Sequence, residues 1–376
     1  MSSTPIPGTW QIGDDPGRRQ FVELKSGDQG FSLEGGGSLS NVTVAFETWG
    51  QLNYSATNAV LVLHALSGDS HAEGPSGPGH VAPGWWEALI GPGASIDTDE
   101  YFVVCPNVLG GCQGTTGPSS PAVDDAPYGS RFPVITIRDQ VAVEVALADE
   151  LGIGKWAAVI GGSMGAMRAL EWSVGYPERV ERAVVLAVSA AASAEQIALC
   201  SLQVRAIKSD SAYANGDYYF TGRSPISGLS VARGLGQLSY RTEHEFDVRF
   251  AREAQGEEAP LHGGRYAVES YLEYQGEKLT RRFDANTYVV LSEAMNHHDI
   301  GRGRGGIAEA LNTVRARVTV AGIASDRLYP LGQQLEIARL LPGDQEVHVI
   351  ESEFGHDGFL LETEAVGNVV RAALDQ

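Results

Sequence analysis

Basic residues are scarce in this chain and long apolar runs are missing. Lys and Arg together number 27 in 376 residues against 47 Asp and Glu, for a net charge of −20. A field of that sign repels polyanions, which excludes nucleic acid and an anionic membrane surface as ordinary partners. No segment reaches the roughly 20 apolar residues that a helix needs to cross a bilayer. The opening stretch MSSTPIPGTWQIGDDPGRRQ carries mixed charge and no apolar run, so it lacks the form of a secretion signal and a cytoplasmic location is expected. Cysteine is rare as well. Cys105, Cys112 and Cys200 form an odd set without C-x-x-C spacing, which argues against a disulfide framework or a thiolate zinc site and fits a reducing compartment. There is no internal repeat. Neither Gly-rich piece, Glu34–Ser38 or Gly301–Gly306, follows a strand and opens a helix as a dinucleotide loop must.

What the chain does contain is a rhythm of short runs rich in Val, Ala and Ile. They fall at Asn58–His64, Tyr101–Cys105, Trp156–Gly161, Ala183–Val188, Arg317–Ala321 and Glu346–Ile350. Several are followed by helical patterns, the signature of an α/β fold whose mostly parallel sheet is covered on both faces. Thr136 and Asp139 predict a capped helix from Ile137 to about Leu151, and Leu360–Leu374 reads as the last covering helix. From Ser189 to Asn312 the strand rhythm stops and the sequence turns polar, Tyr-rich and helical in tone. We read 189–312 as a helical lid inserted into a discontinuous core made of 1–188 and 313–376. A chain of this length exceeds what one core usually fills, which suits a large core with one subsidiary element.

The chemistry is concentrated in AAVIGGSMGAMRALEW, Ala157–Trp172, where an apolar run enters Gly161-Gly162-Ser163-Met164-Gly165 and then a helix. The glycines permit a turn too tight for side chains, and the turn lifts the Ser163 hydroxyl above the sheet as a nucleophile. A hydroxyl nucleophile needs a general base, and the base needs an orienting acid. His356 follows the last strand and Asp326 the one before it, giving the chain order Ser, Asp, His that this arrangement imposes; Asp99 and Asp124 precede the serine and are poor rivals. Two backbone N–H groups must face the developing oxyanion. Met164, directly after the nucleophile, and Leu66, in the loop after an early strand, are expected to supply them.

With these motifs in view, together with HALSGDSH (His64–His71), NVLGGCQGTTGP (Asn107–Pro118) and MNHHDIGRGRGG (Met295–Gly306), the sequence resembles the homoserine O-acetyltransferases of the α/β-hydrolase fold. The likeness runs from about Val42 to the C-terminus. It implies a ping-pong reaction in which Ser163 takes acetyl from acetyl-CoA and the hydroxyl of L-homoserine then attacks the acetyl-enzyme, with His356 as base. The product, O-acetyl-L-homoserine, would feed methionine synthesis. The resemblance further implies that Arg233 and Asp357 bind the amino-acid substrate, that the inserted helices build a homodimer, and that no cofactor stays bound. A guanidinium and a carboxylate would neutralise the two charges of an α-amino acid.

Arg302 and Arg304 are expected to provide the local positive charge that CoA phosphates need. No metal is expected at His297, His298 and Asp299, because consecutive residues on a helix do not face one another. ALSGDSH departs from the Leu-Thr-Gly of many relatives, which bears on acyl-donor preference. A succinyl donor would require a cation in the acyl pocket. The nearest in these motifs is Arg168, a turn or more along the helix, so acetyl is favoured. Serine differs from homoserine by one methylene, worth about 1–3 kcal/mol, and stays open as acceptor. A serine esterase on the same scaffold is the main rival, since water can replace homoserine without any change in the triad.

Overall fold

The computed structural model describes residues 8–24, 30–343 and 345–376. Residues 1–7 of the N-terminal stretch considered above lie outside them. Eight strands form one sheet: β1 (Gln20–Leu24), β2 (Val42–Trp49), β3 (Ala59–Leu63), β4 (Phe102–Pro106), β5 (Ala158–Gly162), β6 (Arg182–Leu186), β7 (Arg317–Ile323) and β8 (Val347–Ile350). Their spatial order is β1-β2-β4-β3-β5-β6-β7-β8. The pairings of β1 with β2 and of β2 with β4 are antiparallel, and every later pairing is parallel.

All six predicted runs are strands, with ends displaced by no more than two residues, the usual ambiguity of strand termini. The strands β1 and β2 were not anticipated. Within β2 the apolar run is broken by Thr43, Glu47 and Thr48, yet Glu47 is completely buried because Ser70 and His71 hydrogen-bond its carboxylate.

Alternation along β3 divides the interior. Leu61 and Leu63 point into one apolar core with Leu147, Leu170 and Trp172, whereas Val60 and Val62 point into another with Trp86, Val366 and Val370. Helices α1 (Ile137–Glu150) and α2 (Met164–Gly175) serve the first core. As expected, α1 starts in a capping box: Thr136 Oγ1 accepts from the Asp139 N–H, and the Asp139 carboxylate accepts from the Thr136 N–H at 2.8 Å.

Between β6 and β7 the chain builds α3 (Ala194–Lys208), α4 (Ile226–Tyr240), α5 (Glu243–Phe250), α6 (Ala267–Thr280), α7 (Ala285–Asn296) and α8 (Ile307–Asn312), with α4 packed on both α3 and α6. After β7 come α9 (Leu331–Leu340) and, past β8, α10 (Gly358–Leu361) and α11 (Thr363–Leu374). The continuous C-terminal helix expected over 360–374 is broken at Glu362, whose ψ of 59° leaves the helical range. No helix among the described residues is long and apolar enough to cross a membrane.

Candidate active site

Ser163 sits where β5 turns into α2, with φ 56° and ψ −126°, a backbone conformation that costs an ordinary residue about 1–3 kcal/mol. The surrounding packing enforces it. A methyl group on Gly165 would come within 2.0 Å of the Leu63 carbonyl oxygen, and one on Gly161 within 2.4 Å of the Gly165 backbone. Strand and helix therefore cross at backbone contact, and the serine is held out at the carboxyl end of the sheet.

Around Ser163 the predicted partners converge from two loops. His356 Nε2 lies 2.9 Å from Ser163 Oγ, and His356 Nδ1 lies 2.7 Å from Asp326 Oδ2. The other oxygen of Asp326 accepts the N–H groups of Leu328 at 2.8 Å and Tyr329 at 2.9 Å, which fixes the carboxylate against rotation. The rings of Tyr329 and Phe359 pack on the imidazole, their centroids 5.0 and 5.3 Å away. With all three side chains buried, the geometry lets His356 withdraw the Ser163 proton while Asp326 steadies the imidazolium that forms.

Leu66 borders the same cavity as Ser163, and the backbone N–H groups of Leu66 and Met164 donate to no backbone carbonyl among the described residues. Both are available to a developing oxyanion. The loop carrying Leu66 is anchored from beneath. His64 Nδ1 donates to the Ala65 carbonyl at 2.8 Å and its Nε2 accepts the Val108 N–H at 3.0 Å. Burial, reinforced by the Arg168 charge, pushes the His64 pKa down to about 3, so the ring is neutral and can accept at Nε2. Arg168 in turn donates to the His64 carbonyl at 2.5 Å and to Glu144 at 2.6 Å.

The cavity over Ser163 has a volume of about 200 Å³. Arg233 and Asp357 both border it, but they are not paired to each other. Arg233 lies over the Tyr240 ring, 5.5 Å from its centroid, whereas Asp357 Oδ2 accepts from Arg241 Nε at 2.9 Å. The motif reading missed Arg282, which also borders this cavity and donates to the Ser67 carbonyl at 2.6 Å. Burial lowers its pKa and the neighbouring Arg233 charge lowers it further, and the two guanidinium groups border the same cavity. A doublet in EKLTRRFD offers no spacing signal that would single out Arg282.

A family profile describing the alpha/beta hydrolase fold matches residues 58–363. A homoserine O-acetyltransferase of Thermobifida fusca is 58% identical over 373 residues, covering 99% of this chain and 98% of its own. This chain belongs to the homoserine O-acetyltransferase family. Among solved structures, a homoserine O-acetyltransferase from Bacillus anthracis gives a TM-score of 0.87 at 27% identity, covering 95% of this chain and 97% of that one. A solved esterase gives 0.86 at 29% identity, covering 95% and 99%. The family's scaffold is thus shared with hydrolases, and its function has to be argued from the site.

Of the segment Met295–Gly306, which helped mark the family resemblance, Met295 and Asn296 border the Ser163 cavity. Arg302 and Arg304 do not border the Ser163 cavity. Arg302 Nη2 pairs with Glu34 at 2.8 Å, and Arg304 pairs with Glu171 through both terminal nitrogens, one at 2.8 Å. Both are engaged by protein carboxylates that Arg138 shares, and neither lies at the catalytic cavity, so the arrangement lends no support to the expectation that they meet CoA phosphates. His298 is buried and hydrogen-bonded to the Ser189 carbonyl at 3.0 Å, joining the two ends of the inserted segment, and burial lowers its pKa to about 4. His297 is exposed, and Asp299 caps the Gly301 N–H.

A cluster that sequence reasoning missed lies where the chain beyond the oxyanion loop packs on β2. Ligand-type atoms of Glu47, His71 and His80 fall within 4.8 Å of one another. The two imidazoles stack nearly parallel, 3.8 Å apart, so their in-plane lone pairs run side by side rather than converging on one point. The arrangement suits two rings sharing one carboxylate. Burial disfavours the charged form of His71, but its hydrogen bond to Glu47 and the Glu47 charge outweigh this and raise its pKa.

Proposed function

We propose that this protein transfers acetyl from acetyl-CoA to the hydroxyl of L-homoserine through an acetyl-Ser163 intermediate, producing O-acetyl-L-homoserine for methionine synthesis. The 2.9 Å contact between Ser163 Oγ and His356 Nε2 at the cavity carries the reading. In the first half-reaction Ser163 Oγ attacks the thioester carbonyl as His356 takes its proton, and the N–H groups of Leu66 and Met164 hold the oxyanion. Collapse breaks the C–S bond and His356 returns the proton to the leaving CoA sulfur. Homoserine then gives its hydroxyl proton to His356 while its oxygen attacks the acetyl carbon, and the proton returns to Ser163 as ester leaves. Arg233 meets the substrate's carboxylate with Arg282 reinforcing it, and Asp357, bonded to Arg241 through one oxygen, meets the ammonium group; that all three border the cavity supports this. Both products, CoA and O-acetyl-L-homoserine, leave in each cycle, so the reading needs no resident cofactor.

Hydrolysis is the second reading, because a solved esterase matches the scaffold as well as a solved transferase does. The 58% identity to a named transferase, twice that to the esterase, favours transfer. Free thiol release from acetyl-CoA should be fast only when L-homoserine is present and should vanish in Ser163→Ala. Equal release without homoserine would replace the proposal with the hydrolase. A homodimer and a cytoplasmic setting belong to the same proposal. The exposed Leu202, Ile226, Val231 and Leu238 of α3 and α4 support the first, and three buried free thiols support the second.

A further inference from the structure

Beside the cavity over Ser163 lies a second one of about 390 Å³. The two share Ser67, Gly68, Trp85 and Arg282 as a common wall. The second cavity is also bordered by Lys278 and Arg281, three residues apart at the end of α6, and neither touches the first cavity. That spacing puts both on one face of the helix end. Both side chains are exposed. Among the described residues Lys278 has no carboxylate within ion-pair distance, and Arg281 has only the exposed Glu277 at 3.9 Å. Three carboxylates border this cavity too, but each is engaged locally: Asp14 by the Gln11 N–H, Asp15 by the Gly17 N–H and Asp69 by the His71 N–H.

In a chain with net charge −20, a Lys–Arg pair that borders a cavity with no carboxylate held closer than the Glu277 contact at 3.9 Å runs against the global field and marks a place where an anion is favoured. An acyl-CoA is built in the same two parts as these cavities. Its thioester ends a long uncharged arm, and its other end is a polyanionic nucleotide.

We infer that the second cavity receives the nucleotide-bearing end of the acyl donor. Lys278 and Arg281 meet its phosphate groups as point charges on flexible stems, and the Ser67–Gly68–Trp85 wall passes the uncharged arm to Ser163. This rests on the acyl-CoA reading above and adds where the donor's charge is met, in place of Arg302 and Arg304.

The test compares acetyl-CoA with S-acetylpantetheine, which presents the same thioester without the nucleotide. In the wild-type enzyme kcat/KM should favour acetyl-CoA, and the preference should shrink as ionic strength rises. Lys278→Ala/Arg281→Ala should cut the preference several-fold, and Lys278→Glu/Arg281→Glu should cut it about tenfold or more. Being exposed, these positions can be changed without disturbing the core. A preference unaltered in both double variants would overturn the assignment. If neither thioester acylates wild-type Ser163, the acyl-CoA reading itself falls, and this inference with it.

Discussion

Arg168 is completely buried beneath the nucleophile, linking α2 to α1 through Glu144 and to the oxyanion loop through the His64 carbonyl. In the motif it is the cation nearest Ser163, but its guanidinium is occupied under the sheet, and the cations that face the cavity are Arg233 and Arg282. Glu144 also accepts from Trp172 Nε1 at 2.8 Å. Arg168→Met should therefore strand a buried carboxylate and cost about 3–5 kcal/mol in denaturant unfolding. Arg168→Met/Glu144→Gln, which keeps an acceptor for Trp172, should recover much of that stability yet still lower kcat, because the oxyanion loop has lost its anchor. Wild-type kcat in a stable double variant would refute a positioning role. The triad was legible because a tight turn and the strand ends impose a linear pattern on the sequence. Arg282, Arg241 and the Glu47–His71–His80 cluster were not, since each matters through contacts between residues far apart in the chain, as with Arg282 and Ser67, 215 positions away.

At the scale of elements, fully buried strands such as β3 and β5 were readable as continuous apolar runs. The antiparallel pair β1 and β2 was not: β1 is an edge strand in which only Leu24 is buried, so it shows no apolar run, and in β2 a buried polar residue that finds partners looks like a strand-breaking one until its partners are seen. The inserted helices stood out as the place where the strand rhythm fails. Their outward apolar side chains lead to an assembly prediction. Wild-type protein should elute as a dimer, and Leu202→Asp with Val231→Asp should shift it toward monomer in light scattering while Ser163 still labels with a fluorophosphonate. A wild-type monomer would remove the homodimer from the proposal.

For the molecule as a whole, acid sensitivity follows from two histidines buried in the neutral form. The ordinary value is 6.5, and the folded values are about 3 for His64 and about 4 for His298. As pH falls below the ordinary value the unfolded chain takes up protons that the folded chain refuses, so stability is lost with acidification. The slope approaches about 1.4 kcal/mol per pH unit for each histidine until its folded value is reached. His71, with its pKa raised, works in the opposite sense: its contribution is present at low pH and fades as pH climbs through the raised value. The urea midpoint should drop clearly between about pH 7 and pH 5, and a flat profile would show that these rings are not held neutral.

The groups that carry the proposed chemistry, Ser163, His356, Asp326, Met164 and Leu66, all belong to the sheet-bearing body, whereas Arg233, Arg282 and Tyr240, which line the same space, all come from the segment inserted after β6. On the proposed reading, reactivity is written in the sheet-bearing stretches and most of the acceptor's surroundings in the inserted one, with Asp357 the acceptor contact that stays beside the triad. A lineage can redraft one without renegotiating the other, so a descendant that lets water in needs no new nucleophile, only a different roof.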